Sequence, residues 1–577
     1  MPSPDGLLPL VIGITGHRNP DPGCIASLER EVERAFDQLD AAAPHTPFIL
    51  LSPLARGCDR LAARVAMRFR RRDPAQRIEV IGVLPLAIDD YRRDFASDAG
   101  DAAEFEALLA EADDWFELPR WADASVDSRG FVLRDEDRDL HYRRLGLFVA
   151  RQSQVMIAMW DGVRNNKVGG TAEVVDFCME RSPVGLTCGI PFQSRPMMLA
   201  PPDRTAVFCI PTRREGAPEP GGAAVDLAAR GVGGHFLRDV GDLDLLNRRL
   251  AETSPGSWRP AMFKCTVAPA VQGRWASVEA RFMRLDALAV KAKGEYLRCA
   301  WLVPSFAAVA VGAFQWFSSF ADGNPGTAWI AMLLYAVFLS IAAAIWWHHA
   351  RRRRTEWVFV HARALAEALR IQIAWIGSGI SEVAPDLYFA RRNSEVGFLR
   401  EQLRACILDC MIVASRGGTA TGLKVGTEWA DEQASYFHHD SRSSRRKAQN
   451  VRLQAGFGFA LKRLVLLASA GLMILALLEA FGADGMIDAS AAVGCFVVGL
   501  ALALTVAFEY WQEVVLDRED LDAARRMHGV FDRARRYLAD GTADGREILR
   551  ALGREALDEH AEWFARHRDR LRLPDAG

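Results

Sequence analysis

The sequence of 577 residues has no charge excess of either sign: 71 Lys and Arg stand against 73 Asp and Glu, a formal net charge of −2. Binding to duplex nucleic acid draws on a basic excess, so that class of partner is not expected. Cysteine is sparse and unpatterned. Its ten occurrences, at positions 24, 58, 178, 188, 209, 265, 299, 406, 410 and 495, include no CxxC pair and no dense framework. Metal ribbons and disulfide scaffolds are therefore disfavoured, no metal site is expected, and the thiols read as reduced and mostly buried. The start of the chain lacks a basic segment, and the apolar run from Leu7 to Thr15 reads as a first strand, not a cleaved signal. The length exceeds what one hydrophobic core organises, so two or more domains are expected.

Hydrophobicity is plentiful, and it is clustered. Residues 300–320 and 327–347 contain no charged side chain, 464–482 carry only Glu479, and 489–508 again carry none. A helix of roughly 20 apolar residues crosses a bilayer, so four spans in two close pairs are expected. Lys291, Lys293 and Arg298 precede the first span, Arg351 to Arg354 follow the second, Lys462 and Arg463 precede the third, and Arg525 and Arg526 follow the fourth. The short connectors at 321–326 and 483–488 have no Lys or Arg. The positive-inside rule then puts both termini and the middle region in the cytoplasm, with the chain in the cell (inner) membrane. Ser305, Gln315, Ser340, Ser469 and Thr505 are polar within the spans, available for a wet lining or for helix-to-helix hydrogen bonds.

Ahead of the spans, apolar runs alternate with amphipathic stretches, the pattern of a parallel α/β sheet. Candidate strands end near Thr15, Ser52, Pro85, Trp160 and Pro211. Ligands of such sheets lie beyond the carboxyl ends of the strands, so the turns that follow are the expected site walls. Gly169 and Gly170 would let backbone amides approach an anion, and Thr171 would cap the following helix. Arg18 and Arg60 would add cationic donors or form structural bridges to Asp21 or Asp59; Gly16 keeps the first turn close, and Asp161 suits ribose hydroxyls. His17, Ser52 and Glu173 stand in the same turns.

In order, GITGHR at 13–18, SPLARGCDRLA at 52–62, and IAMWDG with GGTAEVV between 157 and 175 resemble the SLOG domain, the superfamily of the lonely-guy nucleotide phosphoribohydrolases and the DNA-processing Smf proteins. The resemblance covers residues 9–215. It implies a Rossmann-like parallel sheet that binds a nucleotide or nucleotide derivative through Gly16, Arg18, Gly57, Arg60, Asp161, Gly170 and Thr171. The hydrolase branch carries PGGxGTxxE, but here Val174 stands three residues after Thr171 and the acid is Glu173; the branch's upstream arginine is matched only loosely by Arg143 or Arg144. No catalytic residue is assigned on this pattern, and a binding pocket is favoured over a catalytic one.

Farther on, the AEALR core within 363–375, the WADEQASYF stretch at 429–437 and EHAEW at 559–563 resemble the SLATT domains, two-span membrane modules found beside nucleotide-sensing domains in prokaryotic conflict systems. Two units are expected, 271–455 and 456–572, with cytoplasmic helices and with 216–270 as linker. The two resemblances together imply a nucleotide second messenger as partner, no cofactor, contact with the lipid membrane, homo-oligomerisation and membrane permeabilisation in antiviral defence. The alternative is a membrane-tethered nucleotide phosphoribohydrolase or nucleosidase.

Overall fold

The computed structural model describes residues 6–72, 78–164, 167–179, 189–194, 205–218, 233–253, 267–320, 325–388, 397–417, 422–480, 488–515, 518–541 and 543–571. Most of both expected connectors, and parts of the expected linker, lie outside these residues.

Six strands form one parallel sheet: β1 Leu10–Gly16, β2 Phe48–Ser52, β3 Ile78–Leu84, β4 Asp114–Glu117, β5 Val155–Trp160 and β6 Ala206–Pro211, in the order β4-β3-β2-β1-β5-β6. β2 and β5 are buried at every position, as strands covered on both faces must be, and this explains their unbroken apolar runs. β6, at one edge, alternates buried with half-buried residues. The strand β4 was not among the expected five. It has four residues, DWFE, with acids at both ends, so it shows no apolar run.

The helices are α1 Ile25–Ala42, α2 Cys58–Arg72, α3 Ile88–Tyr91, α4 Ala99–Glu111, α5 Asp135–Gln152, α6 Thr171–Cys178, α7 Gly233–Ala251, α8 Gln272–Phe320, α9 Pro325–Trp347, α10 Thr355–Gly377, α11 Ala384–Leu387, α12 Gly397–Ser415, α13 Lys424–Ala480, α14 Asp488–Val515, α15 Arg518–Asp540 and α16 Gly545–Leu571. Within the stretch read as linker, α7 is ordered by contact with the sheet's own surroundings. Val240, Leu243, Leu246 and Leu250 are buried at helical spacing, and Asn247 receives a hydrogen bond from the Leu8 N–H and donates to the Leu8 carbonyl.

Contacts divide the chain into two compact units. The first comprises Met1–Leu288, His361–Trp429 and Arg536–Phe564; the second comprises Ala289–Val360, Ala430–Arg535 and Ala565–Gly577. Much of the helical stretch that sequence grouped with the spans therefore belongs with the sheet. The physical reason is a set of buried charges that pair across long sequence separations. Asp409 of α12 receives Arg274 at 2.8 Å and Arg281 at 2.5 Å, and Arg274 also reaches Asp114 of β4 at 2.8 Å and Glu79 of β3 at 2.5 Å. Burial alone would raise the Asp409 carboxyl, but Arg281 and Arg274 prevail and hold it below the usual carboxylate range. Elsewhere in the unit the Trp375 indole donates to the Leu549 carbonyl at 3.0 Å.

The second unit holds four stretches long and apolar enough to cross a membrane, on α8, α9, α13 and α14, of whose apolar windows only 6 to 11% is buried. They touch one another through aromatics and small residues: Phe314 meets Tyr335, Trp316 meets Phe496, and a side chain added at Gly499 would collide with Gln315. Gly499 thus leaves room for the Gln315 side chain. The hydroxyls of Ser305 and Thr505 donate to carbonyls one turn back, at Trp301 and Ala501, and so are satisfied within their own helices.

Candidate functional site

In this strand order the chain leaves β1 towards β2 and later returns to β5 on the opposite flank of β1, so the carboxyl ends of β1 and β5 mark the topological switch point. Crevices for ligands open at such points. Gly16 is in register with Met159, and the His17 N–H donates to the Met159 carbonyl at 3.2 Å. The Asp161 N–H in turn donates to His17 Nε2 at 3.0 Å, which requires that nitrogen to be unprotonated. Burial lowers the His17 pKa and Arg214 reinforces it, against the pull of Asp161, so a neutral ring is favoured. His17 is a pin between two turns. Asp161 is also engaged: one oxygen pairs with Arg214 at 2.7 Å, and the other accepts the Val163 N–H at 3.0 Å. The Asp161 carboxylate thus closes its own turn.

The turns after β1 and β2 interlock, and glycine is required at both. A Cβ on Gly16 would lie 2.4 Å from that of Cys58; Gly57 has φ +86°, and a Cβ there would lie 2.3 Å from the Arg18 carbonyl oxygen. The Cys58 N–H donates to the His17 carbonyl at 3.1 Å. Ser52 is fully buried; its hydroxyl donates to the Asp59 carbonyl and accepts the Leu54 N–H. It shapes the turn and faces no solvent. Cys58 is no activated nucleophile, because burial first and Asp59 second push its thiol far up.

The two arginines named as phosphate donors part company. Arg60 is fully buried, stacks 4.7 Å over Phe95, donates through Nε to the Leu54 carbonyl, and pairs with Asp101 at 2.5 Å and Glu104 at 2.9 Å. It anchors α4 to α2, and neither Asp21 nor Asp59 is its ion-pair partner among the described residues. Arg18 is exposed, with its guanidinium 4.9 Å from the centre of the Tyr142 ring. Its charge acts on Asp59, Tyr91 and Asp94, yet among the described residues it makes no hydrogen bond or ion pair.

The third turn also differs from expectation. Gly170, not Thr171, occupies the cap position of α6, and no side chain caps it. Gly169 has φ +69°, and a Cβ there would lie 2.7 Å from the Arg143 nitrogen, so this glycine serves packing on α5. Glu173, in the first turn of α6, accepts the Gly169 N–H at 2.7 Å and forms a two-point pair with Arg143 at 2.7 and 3.0 Å. A helix N-terminus attracts anions, and here it already has a carboxylate of its own. Of the eleven candidates, Arg18 alone presents an exposed, unpaired charge. Sequence reasoning named Asp59 only as a bridge partner and missed Tyr91, Asp94 and Tyr142, whose only signal was that Tyr142 stands beside the arginine pair at 143–144.

Among the described residues no group of three or more His, Cys, Asp or Glu is placed to hold a metal ion. No protein-family model and no characterised protein matches the chain.

Proposed function

We propose that the protein is a membrane effector of the SLOG–SLATT kind, in which a Rossmann-like α/β domain senses a nucleotide-derived signal and four spans permeabilise the membrane when copies associate. The observation that carries the sensing half is the unpaired, exposed guanidinium of Arg18 at the switch point of a parallel sheet, where anionic ligands of such sheets bind. The membrane half is supported by four apolar helices whose faces are left uncovered. In this reading both termini lie in the cytoplasm of a prokaryotic cell, the connectors at 321–326 and 483–488 face outward, and the effect in a cell is arrest or death during antiviral defence.

A ligand drives a change only by binding one state better than another, so ligand-bound domains pack together and gather their spans. Small residues on the spans, such as Gly499 against Gln315, suit close helix approach. The hydrolase alternative is weakened by Glu173, whose carboxylate is held by Arg143 and Gly169. Full-length protein in ion- and dye-loaded liposomes tests the reading. A panel of linear and cyclic nucleotides that raises its melting temperature should also release the contents and increase oligomer size. Binding without leakage or association overturns the pore, and release of free base would establish the tethered enzyme instead.

A further inference from the structure

Where the apolar stretches of α8 and α13 begin, one cation stands on the exposed apolar face of each helix. Arg463 lies within the stretch Gly456–Ile474 and is exposed. Its neighbours at helical spacing, Phe459 one turn before and Leu466 and Leu467 one turn after, are exposed as well, so the cation shares their face. On α8, Arg298 stands in the same relation to Trp301 and Leu302, and all three are exposed. Among the described residues neither arginine forms an ion pair. Lys462, beside Arg463 in sequence, is the contrast: it pairs with Glu509 of α14.

Both arginine side chains reach back towards the start of their helix. The Arg463 guanidinium lies 4.5 Å from the centre of the Phe459 ring, and Arg298 Nε donates to the Gly294 carbonyl at 3.2 Å. Each charged head is thereby carried back by one turn, about 6 Å, towards the end of the apolar stretch. Long cationic side chains near the ends of membrane helices take this posture, with the stem on apolar surface and the head among the lipid headgroups. Apolar side chains exposed on both flanks of Arg463 do not suit a ligand that arrives from water. They suit an anion that brings its own acyl chains.

We propose that Arg463 and Arg298 are binding sites for an anionic phospholipid, with the phosphate on the guanidinium and the chains along Leu466 and Leu467 on α13 and along Trp301 and Leu302 on α8. The planar guanidinium matches a phosphate at two points. A zwitterionic lipid offers the same phosphate with a cation attached, so the lipid of net negative charge binds more tightly. This rests on the reading of α8 and α13 as membrane-spanning, and it adds which lipid those helices select and through which residues.

The test reconstitutes the full chain into vesicles of phosphatidylglycerol and phosphatidylcholine in equal parts, extracts it in mild detergent and counts the lipids it retains. At each site phosphatidylglycerol should be preferred about fivefold, the equivalent of about 1 kcal/mol for one cation near the surface. Arg463→Gln and Arg298→Gln should each lose about half of the excess phosphatidylglycerol, and the double variant nearly all of it. Arg463→Lys keeps the charge and should keep the preference. Arg92→Gln, the same change in net charge at an exposed ion pair of the first unit, should leave it unaltered. Short-chain phosphatidylglycerol should raise the melting temperature of the solubilised wild type more than that of the double variant, whereas glycerol phosphate, the headgroup without its chains, should act on the two alike. Equal retention of both lipids by the wild type, a preference that survives the double substitution, or a glycerol phosphate response that tells the two proteins apart overturns the lipid sites. A change in oligomer size with unchanged lipid preference would assign the arginines to a contact between copies and overturn them too. If the chain floats with vesicles of neither lipid, the membrane-spanning reading itself fails.

Discussion

Asp409 and Leu467 lie in the two units of one chain and have opposite surroundings. Asp409 is 0% exposed and is held by two arginines from α8. Leu467 on α13 is 71% exposed, and Leu466 and Met473 beside it are 69% and 65% exposed. In the first unit, charges are taken out of water and must find partners in the protein. In the second, apolar surface is left without protein partners, on helices long and apolar enough to cross a membrane, where lipid would remove the cost. The same rule, that unlike surface must be matched, is met inside the chain in one unit and by the surroundings in the other.

The strongest way to break this contrast is to strip the first unit of a partner. Asp409→Ala leaves Arg274 and Arg281 buried with one carboxylate fewer, and it should cost about 3–5 kcal/mol. Chemical denaturation of the solubilised full chain, read by near-ultraviolet circular dichroism, checks it; a loss below about 1 kcal/mol would mean that the network is not what joins α12 to the sheet.

Within the first unit, Arg60 and Arg18 make a sharper pair. Arg60→Met abandons Asp101 and Glu104 and the Leu54 carbonyl, for an expected loss of about 3 kcal/mol. Arg18→Met should change stability by less than about 0.5 kcal/mol, as exposed substitutions do, and yet abolish ligand-induced stabilisation. Thermal unfolding of both variants with and without nucleotide would separate a structural arginine from a ligand-binding one.

Asp59 adds a pH dependence of smaller slope. Burial raises its carboxyl to about 8, and Arg18 and Arg60 only partly offset this. Because the folded pKa lies above the unfolded value of 3.8, the native state holds the extra proton between these limits, and stability falls as pH rises from about 4 to about 8, by at most about 1.4 kcal/mol per pH unit. Asp59→Asn should remove that component. Unfolding curves of both proteins across this range should diverge with rising pH, the variant becoming the more stable; parallel curves would show that Asp59 does not titrate there.

The smallest effect is expected in the second unit. Leu467→Ala removes a side chain with few protein neighbours, so stability in detergent should change by less than about 0.5 kcal/mol. A loss of 2 kcal/mol or more, the size seen for buried leucines, would show that this face is covered by another copy.

Five of the six strands were legible because a buried parallel strand must be apolar throughout, and such runs stand out. The strand β4 was not, since four residues flanked by acids depend on pairing with β3 for their conformation. The apolar spans were equally plain. Helix ends were not, because the amphipathic lead of α8 from Gln272 joins the apolar stretch without a break, giving 49 continuous residues.

At the site, sequence located the three turns correctly at the carboxyl ends of β1, β2 and β5, because glycines and strand ends are local signals. It weighted Arg18 and Arg60 alike, and local chemistry offers no means to separate them. What separates them is Asp101, 41 residues beyond Arg60, and Glu104 on the same helix. Composition and hydrophobic periodicity, which act over a few residues, determined that the chain has a parallel sheet and four long apolar helices. Which charges are paired and which stay unpaired was decided only by tertiary structure, because a partner for a buried charge is chosen by proximity in space and not by distance along the chain.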